Sequence, residues 1–191
     1  MSPKEKELLY KKHIEEANIY LDFIKGGFYV LDIGSGTGFP GIPLAILKPE
    51  AEFILIDRRR IHADFVDEVI KQLGLKNAKM INMRAENLCK LDIKFDIVCA
   101  RAVSRAANIL KWSLPIVKIG GLVIMGKGKN LDKEISDCSV LPYKLVEKIE
   151  MAFGYLLIFK NINWFKFQFF SFVHDNINFI YFFTVFVSKR K

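Results

Sequence analysis

The sequence predicts an α/β fold, a mostly parallel sheet of seven strands with helices on both faces. Three observations carry this expectation. Short apolar runs alternate with amphipathic helical stretches from Tyr29 to Met125; a glycine turn, Gly34-Ser35-Gly36-Thr37-Gly38, follows directly on the first apolar run; and two further strand patterns, Tyr143 to Ile149 and Tyr155 to Phe159, come last. Neighbouring parallel strands need a long crossover, so strand-helix alternation is what parallel pairing looks like in a sequence.

Residues from about Glu5 to Lys25 carry Leu8, Leu9, Ile14, Ile19, Leu21 and Ile24 among charges and read as one or two amphipathic helices, broken by Gly26-Gly27. Tyr29 to Ile33 reads as a buried strand, Ile42 to Leu47 as a short helix with prolines at its start, and Phe53 to Ile56 as a second strand. Ile61 to Leu73 reads as a helix with Phe65, Val69, Ile70 and Leu73 on its apolar face and Gly74 as its stop. Strands over Lys79 to Met83 and Phe95 to Ala100 follow, then a helix over Asn108 to Leu114 and a strand over Leu122 to Met125. The last two strand patterns read as an antiparallel hairpin. The expected organisation is an N-terminal helical segment over 1–25, the sheet domain over 26–160, and a tail over 161–191 with no assigned role. That tail holds nine of the 17 phenylalanines and no glycine or proline, so it lacks turn chemistry. Its longest nearly apolar stretch, Phe179 to Val187, is well short of the roughly 20 residues that span a bilayer.

With 191 residues, 51% hydrophobic and 26% charged, the composition is that of a globular protein with a full core. A formal net charge of +8 favours a polyanionic partner. Cys89, Cys99 and Cys138 form no CxxC and no cluster with histidine, which argues against a disulfide framework or a zinc site and for a reducing, cytoplasmic setting. The first residues alternate charges without an apolar run, unlike a secretory signal.

The glycines allow positive φ and a close approach of backbone to ligand. Phe39 stands where a dinucleotide fingerprint would place its third glycine, and no GK[ST] follows, so S-adenosylmethionine fits the loop better than NAD or ATP. Asp57 ends the second strand at nearly the spacing of a carboxylate that grips a ribose diol, and Asp32 can order the loop or receive an amino group. Ala85 and Glu86, after the third strand, can face the adenine, with helix capping as the alternative for Glu86. Arg101, in Cys99-Ala100-Arg101-Ala102-Val103, offers a planar fork to the methionine carboxylate or to an RNA phosphate; its alternative is a plain surface arginine. The expected cofactor site is therefore Gly34, Ser35, Gly36, Gly38, Phe39, Asp57, Ala85, Glu86 and Arg101. No [DN]PP[YF] element or Pro-Cys nucleophile stands at the fourth strand, and Cys99 reads as a core residue.

The stretches Val30 to Ile46, Asp57 to Val69, Ala100-Arg101-Ala102 and Met125-Gly126-Lys127-Gly128 together resemble ribosomal small-subunit methyltransferase G, the glucose-inhibited division protein B family. The resemblance covers about His13 to Lys160. It implies a class I SAM-dependent methyltransferase (Rossmann-like) fold and transfer of a methyl group from S-adenosylmethionine to N7 of a guanine in 16S rRNA. It also implies that Arg58, Arg59, Arg60 and Lys127 bind RNA, that Arg101 and Lys127 position the reactants, and that no catalytic base or metal takes part. The expected partner is small-subunit ribosomal RNA or a subunit precursor, met by a monomer, with no DNA partner and no membrane span. Only about a dozen residues precede His13, and Ile14-Glu15-Glu16-Ala17 stands where the family favours an Asp-Ser pair. With the phenylalanine-rich tail, this reads as a chain shortened at its N-terminus and atypical at its C-terminus. A SAM-dependent methyltransferase of another substrate and an inactive RNA-binding copy are the alternatives that the residues leave open. His13, His62 and His174 read as surface residues.

Overall fold

A computed structural model describes residues 16–129, 131–151 and 154–162. The elements are helix α1 (16–21), β1 (Tyr29–Ile33), α2 (Gly41–Leu47), β2 (Glu52–Asp57), α3 (Arg60–Gln72), β3 (Ala78–Asn82), a 3-10 helix over Ala85–Lys90, β4 (Phe95–Arg101), α4 (Ala106–Ser113), β5 (Val117–Lys127), α5 (Asp132–Ser136), β6 (Tyr143–Met151) and β7 (Gly154–Asn161). The seven strands form one sheet in the order β3-β2-β1-β4-β5-β7-β6. The first five run parallel, whereas β7 is antiparallel to both β5 and β6. The expected fold class is borne out.

Successive side chains of a strand point to opposite faces, and here both faces are covered. Leu31, Ile33, Val98, Ala100 and Met125 pack on one side with Ile109 and Leu110 of α4. Val30, Leu55, Ile97, Cys99 and Ile124 pack on the other with Leu44 of α2, Val66 and Ile70 of α3, and Ala17 and Tyr20 of α1. Covered on both faces, β7 is a continuous apolar run, Leu156-Leu157-Ile158-Phe159, with every residue buried. The edge strand β6 instead carries Lys144, Glu147, Lys148 and Glu150, charges that discourage further pairing.

The chain leaves β1 toward β2 and β3, then returns to pair β4 on the other side of β1. This reversal opens a crevice at the carboxyl ends of β1 and β4, where such sheets bind ligands. Gly34 follows β1 there, and Arg101 ends β4.

Several boundaries and faces differ from expectation. Strand β5 starts at Val117 rather than Leu122 and runs through Gly120 (φ +81°) and Gly121. On α3 the buried residues are Ala63, Val66 and Ile70, while Phe65 and Leu73 are about half exposed, at 52% and 53%. Ile70 and, in part, Val69 of the expected face pack against the core, while Ala63 and Val66 lie inside in place of Phe65 and Leu73. The short polar 3-10 helix and α5 gave no apolar period to detect. Of the expected N-terminal helical segment residues 16–25 fall among the described residues, and 16–21 of them are helical; of the phenylalanine-rich segment only Asn161 and Ile162 do, and His13 and His174 lie outside them.

Candidate cofactor and acceptor site

The three loop glycines all take positive φ, +70° at Gly34, +57° at Gly36 and +94° at Gly38, a region that side chains disfavour. Their surroundings differ. A Cβ at Gly34 would lie 2.6 Å from a Val103 methyl, and one at Gly38 would lie 2.7 Å from Ile42. At Gly36, beyond its chain neighbours, the nearest described atom would be the Gly34 carbonyl oxygen at 3.9 Å. Gly34 and Gly38 therefore serve packing, and Gly36 presents backbone to open space. The loop is stitched to the end of β2: the Gly34 and Ser35 amides both donate to the Ile56 carbonyl, at 2.8 and 3.0 Å.

Asp57, 7% exposed, ends β2 beside this loop. Its Oδ2 accepts the Gly36 amide at 3.0 Å, and its Oδ1 accepts the Arg59 amide at 2.8 Å. His62 Nδ1 lies 3.3 Å from Oδ2. Burial pushes the Asp57 carboxyl upward, but the Arg59 and Gly36 amides and His62 outweigh it, so it lies below the usual carboxylate range. A carboxylate accepts several hydrogen bonds, which leaves capacity for a diol. The role of His62 was missed in the sequence; its place in the first turn of a helix that starts just after a site carboxylate was the available signal.

Asp32 is 2% exposed. Its Oδ2 accepts the Gly41 amide at 3.1 Å and so ties β1 to the start of α2. Its Oδ1 is buried with no hydrogen-bond partner among the described residues, and burial pushes the carboxyl up to about 7. A buried, half-satisfied carboxyl beside a glycine cradle with one clear side suits a ligand bearing both a ribose and an ammonium group, which S-adenosylmethionine does.

Glu86 is exposed in the first turn of the 3-10 helix, beside half-buried Ala85, a position open to both the adenine-facing and the helix-capping reading. At the end of β4 the Arg101 guanidinium lies 4.8 Å from the centre of the Phe39 ring, a cation-π contact that joins β4 to the glycine loop. Its Nε lies 3.4 Å from Glu16 Oε1 on α1. The next residue, Ala102, has φ +53°, a strained value for a residue with a Cβ, in the turn that seats Val103 against Gly34. Cys99 is fully buried in the core, as its strand position suggested.

The basic residues divide. Arg58, Arg59 and Arg60 are all exposed at the start of α3, with Arg60 3.5 Å from Asp64 in an exposed pair of little energetic weight. Lys127 is placed otherwise than an RNA contact requires. Its side chain is only 8% exposed, and its ammonium donates to the Ser104 carbonyl and lies 3.0 Å from Glu134 Oε2. Glu134 also accepts the Ala106 amide at 3.3 Å, so Lys127 clasps β5, α5 and the start of α4. Lys127 was expected to bind RNA and position the reactants; its acidic partner here sits on α5, which the sequence did not reveal.

A family model described as rRNA small subunit methyltransferase G matches residues 1–150. Among curated proteins the chain is similar to the ribosomal RNA small subunit methyltransferase G of Syntrophomonas wolfei, 36% identical over 78% of this chain and 71% of that protein. It is also 39% identical to the protein of that name from Corynebacterium efficiens, over 71% of this chain and 59% of the relative. The chain thus spans about three fifths to seven tenths of the length of these two relatives. Among solved structures it resembles a SAM-dependent methyltransferase from Aquifex aeolicus, with a TM-score of 0.65 at 17% identity, covering 84% of this chain and 94% of the other. A ribosomal protein L11 methylase from Lactobacillus delbrueckii gives a TM-score of 0.67 at 16% identity, covering 79% of each chain. At such identity these structures establish the fold.

Proposed function

Because the chain belongs to the rRNA small subunit methyltransferase G family, we propose that it moves a methyl group from S-adenosylmethionine to N7 of one guanine in small-subunit ribosomal RNA. The observation that supports this most is the convergence, at one crevice, of the clear side of Gly36, the Asp57 carboxylate and the Arg101 guanidinium.

When bound, S-adenosylmethionine supplies a methyl group on an electrophilic sulfonium. Guanine N7 carries its lone pair in the ring plane and loses no proton on methylation, so the chain need not supply a base. Its task is to position. Holding two reactants in line can supply several kcal/mol, about 7–11 in the best cases. The Gly36 backbone gives close approach, Asp57 accepts a ribose diol, and Ala85 with Glu86 lies where the adenine edge would be met. Asp32 gives a carboxylate for an amino group. Arg101 binds an anion, either a carboxylate or a phosphate, through paired N–H donors. Arg58, Arg59 and Arg60 add the exposed positive charge that draws RNA phosphate. On this reading the protein acts in the cytoplasm as a monomer on a ribosomal subunit precursor. Among the described residues no helix is long and apolar enough to cross a membrane.

The test is transfer of labelled methyl from S-adenosylmethionine to small ribosomal subunits or their naked RNA. The product is read by borohydride and aniline cleavage, which is selective for N7-methylguanine. Label at an amine, at a ring carbon or in protein would overturn the assignment.

A further inference from the structure

We propose that Glu16, on the helix that precedes the first strand, is a positioning residue of this site: it fixes the Arg101 guanidinium against the rim of the glycine loop. The kinetic part of the proposal rests on the methyl-transfer reading, and the structural part stands without it.

Three elements meet at Arg101. Glu16 Oε1 from α1 lies 3.4 Å from its Nε, and the Phe39 ring from the glycine loop lies 4.8 Å from its Cζ. Gly126 of β5 makes room for this meeting: a Cβ there would stand 3.5 Å from both Arg101 Cγ and Glu16 Oε1, so any longer side chain would enter the space they share. Glu16 is itself buried, at 8%, and the residues that follow it, Ala17, Tyr20 and Ile24, are packed in the core. The carboxylate is therefore anchored on a packed helix.

An arginine side chain has much rotamer freedom, and fixing it during ligand capture weakens binding or slows the reaction. A partner already in place removes that loss. The contact uses Nε, one of five N–H donors in a rigid plane, so it sets the plane in which the others point. A carboxylate this deeply buried would be costly without a cation beside it, so the pair is a mutual requirement rather than a surface accident.

The experiment uses the full chain, with Glu16→Gln to remove the charge at constant shape and Glu16→Asp to keep the charge on a shorter arm. The ¹H-¹⁵N signal of Arg101 Nε is recorded in free protein, alongside the melting temperature and the single-turnover rate of transfer to small-subunit RNA at saturating S-adenosylmethionine. We expect Glu16→Gln to lose the exchange-protected Nε signal and to slow transfer about tenfold, well beyond what any change in melting temperature accounts for. Glu16→Asp should recover part of both. An Nε signal that survives in Glu16→Gln overturns the proposal. A rate that falls only in step with melting temperature, or a Glu16→Gln chain that does not fold, also overturns it, because the role is then structural. If the parent protein transfers no methyl group to RNA, the functional reading fails, and the Nε signal alone decides whether Glu16 holds Arg101.

Discussion

Asp57 takes the Gly36 amide on one carboxylate oxygen, at 3.0 Å, so the residue at the end of β2 also pins the turn that follows β1. Its removal should act twice, through the loop and through the lost diol acceptor. Hydrogen bonds to a charged group are worth about 1.5–3 kcal/mol, so Asp57→Ala should weaken S-adenosylmethionine about 10- to 100-fold in calorimetry. The carboxyl lies below its ordinary value in the folded chain, so its stabilising effect is present at neutral pH and is lost as pH falls through that lowered value. The gap in melting temperature between parent and variant should therefore close in acid, below about pH 4.

The loop glycines should separate by what they touch. Gly34→Ala drives a Cβ toward Val103, so it should lower stability by about 1–3 kcal/mol, and Gly34→Val should cost more. Gly36→Ala meets open space and suffers chiefly the left-handed backbone, about 1–2 kcal/mol, while its methyl group stands where a cofactor must approach. Denaturant melts with a parallel binding titration will sort them. Equal loss of affinity per unit of lost stability in the two variants would contradict the assignment of Gly36 as the ligand-facing glycine.

Asp32 titrates the opposite way from Asp57. Burial raises it to about 7 in the folded chain, so the folded state binds its proton more tightly than the unfolded state does. That contribution to stability is full below the ordinary carboxylate value and is lost as pH rises through about 7. Asp32→Asn keeps an acceptor for Gly41 and removes the titration. Its melting temperature relative to the parent should rise by about 5 °C between about pH 5 and about pH 8, an effect that differential scanning calorimetry resolves. A constant difference across that range would mean that Asp32 is ionised throughout.

Salt dependence will distinguish the two groups of basic residues. Arg58→Ala with Arg59→Ala should weaken RNA binding and lower the slope of log K against log salt by about two, one for each phosphate contact. Lys127→Ala should leave that slope nearly unchanged and cost about 1–3 kcal/mol of stability, because it strands Glu134 and the Ser104 carbonyl. A slope that drops for Lys127→Ala would place its ammonium on the RNA after all.

The parallel half of the sheet was legible because its central strands hold apolar runs ended by glycine or charge, as Tyr29–Ile33 before Gly34 shows. The antiparallel nature of β6 and β7 was legible from their proximity. That β7 slips between β5 and β6 was not, because side-chain period says which face is buried and nothing about which strand lies alongside. In the site, Gly36, Asp57 and Arg101 declared themselves through residue type at a strand end. Glu16 did not: its partner stands far along the chain, and no local pattern relates an acidic residue on one helix to an arginine on a distant strand. Lys127 misled for the same reason, since Glu134 cancels it through space.

The inserted position of β7 has a consequence for a chain that is made from its N-terminus. The ribosome releases β5 and then β6 before Gly154–Asn161 has emerged, and the two earlier strands are not neighbours in the finished sheet. During that interval β5 is a bare edge exposing Val123, Ile124 and Met125, residues that the finished sheet buries completely. The native sheet cannot be completed until Leu156 to Phe159 have cleared the exit tunnel and paired with both β5 and β6. The nascent chain thus passes through a sticky, half-built stage whose length is set by how fast translation of the following residues carries the closing hairpin out of the tunnel, and slowing or stalling there should raise its demand for chaperones.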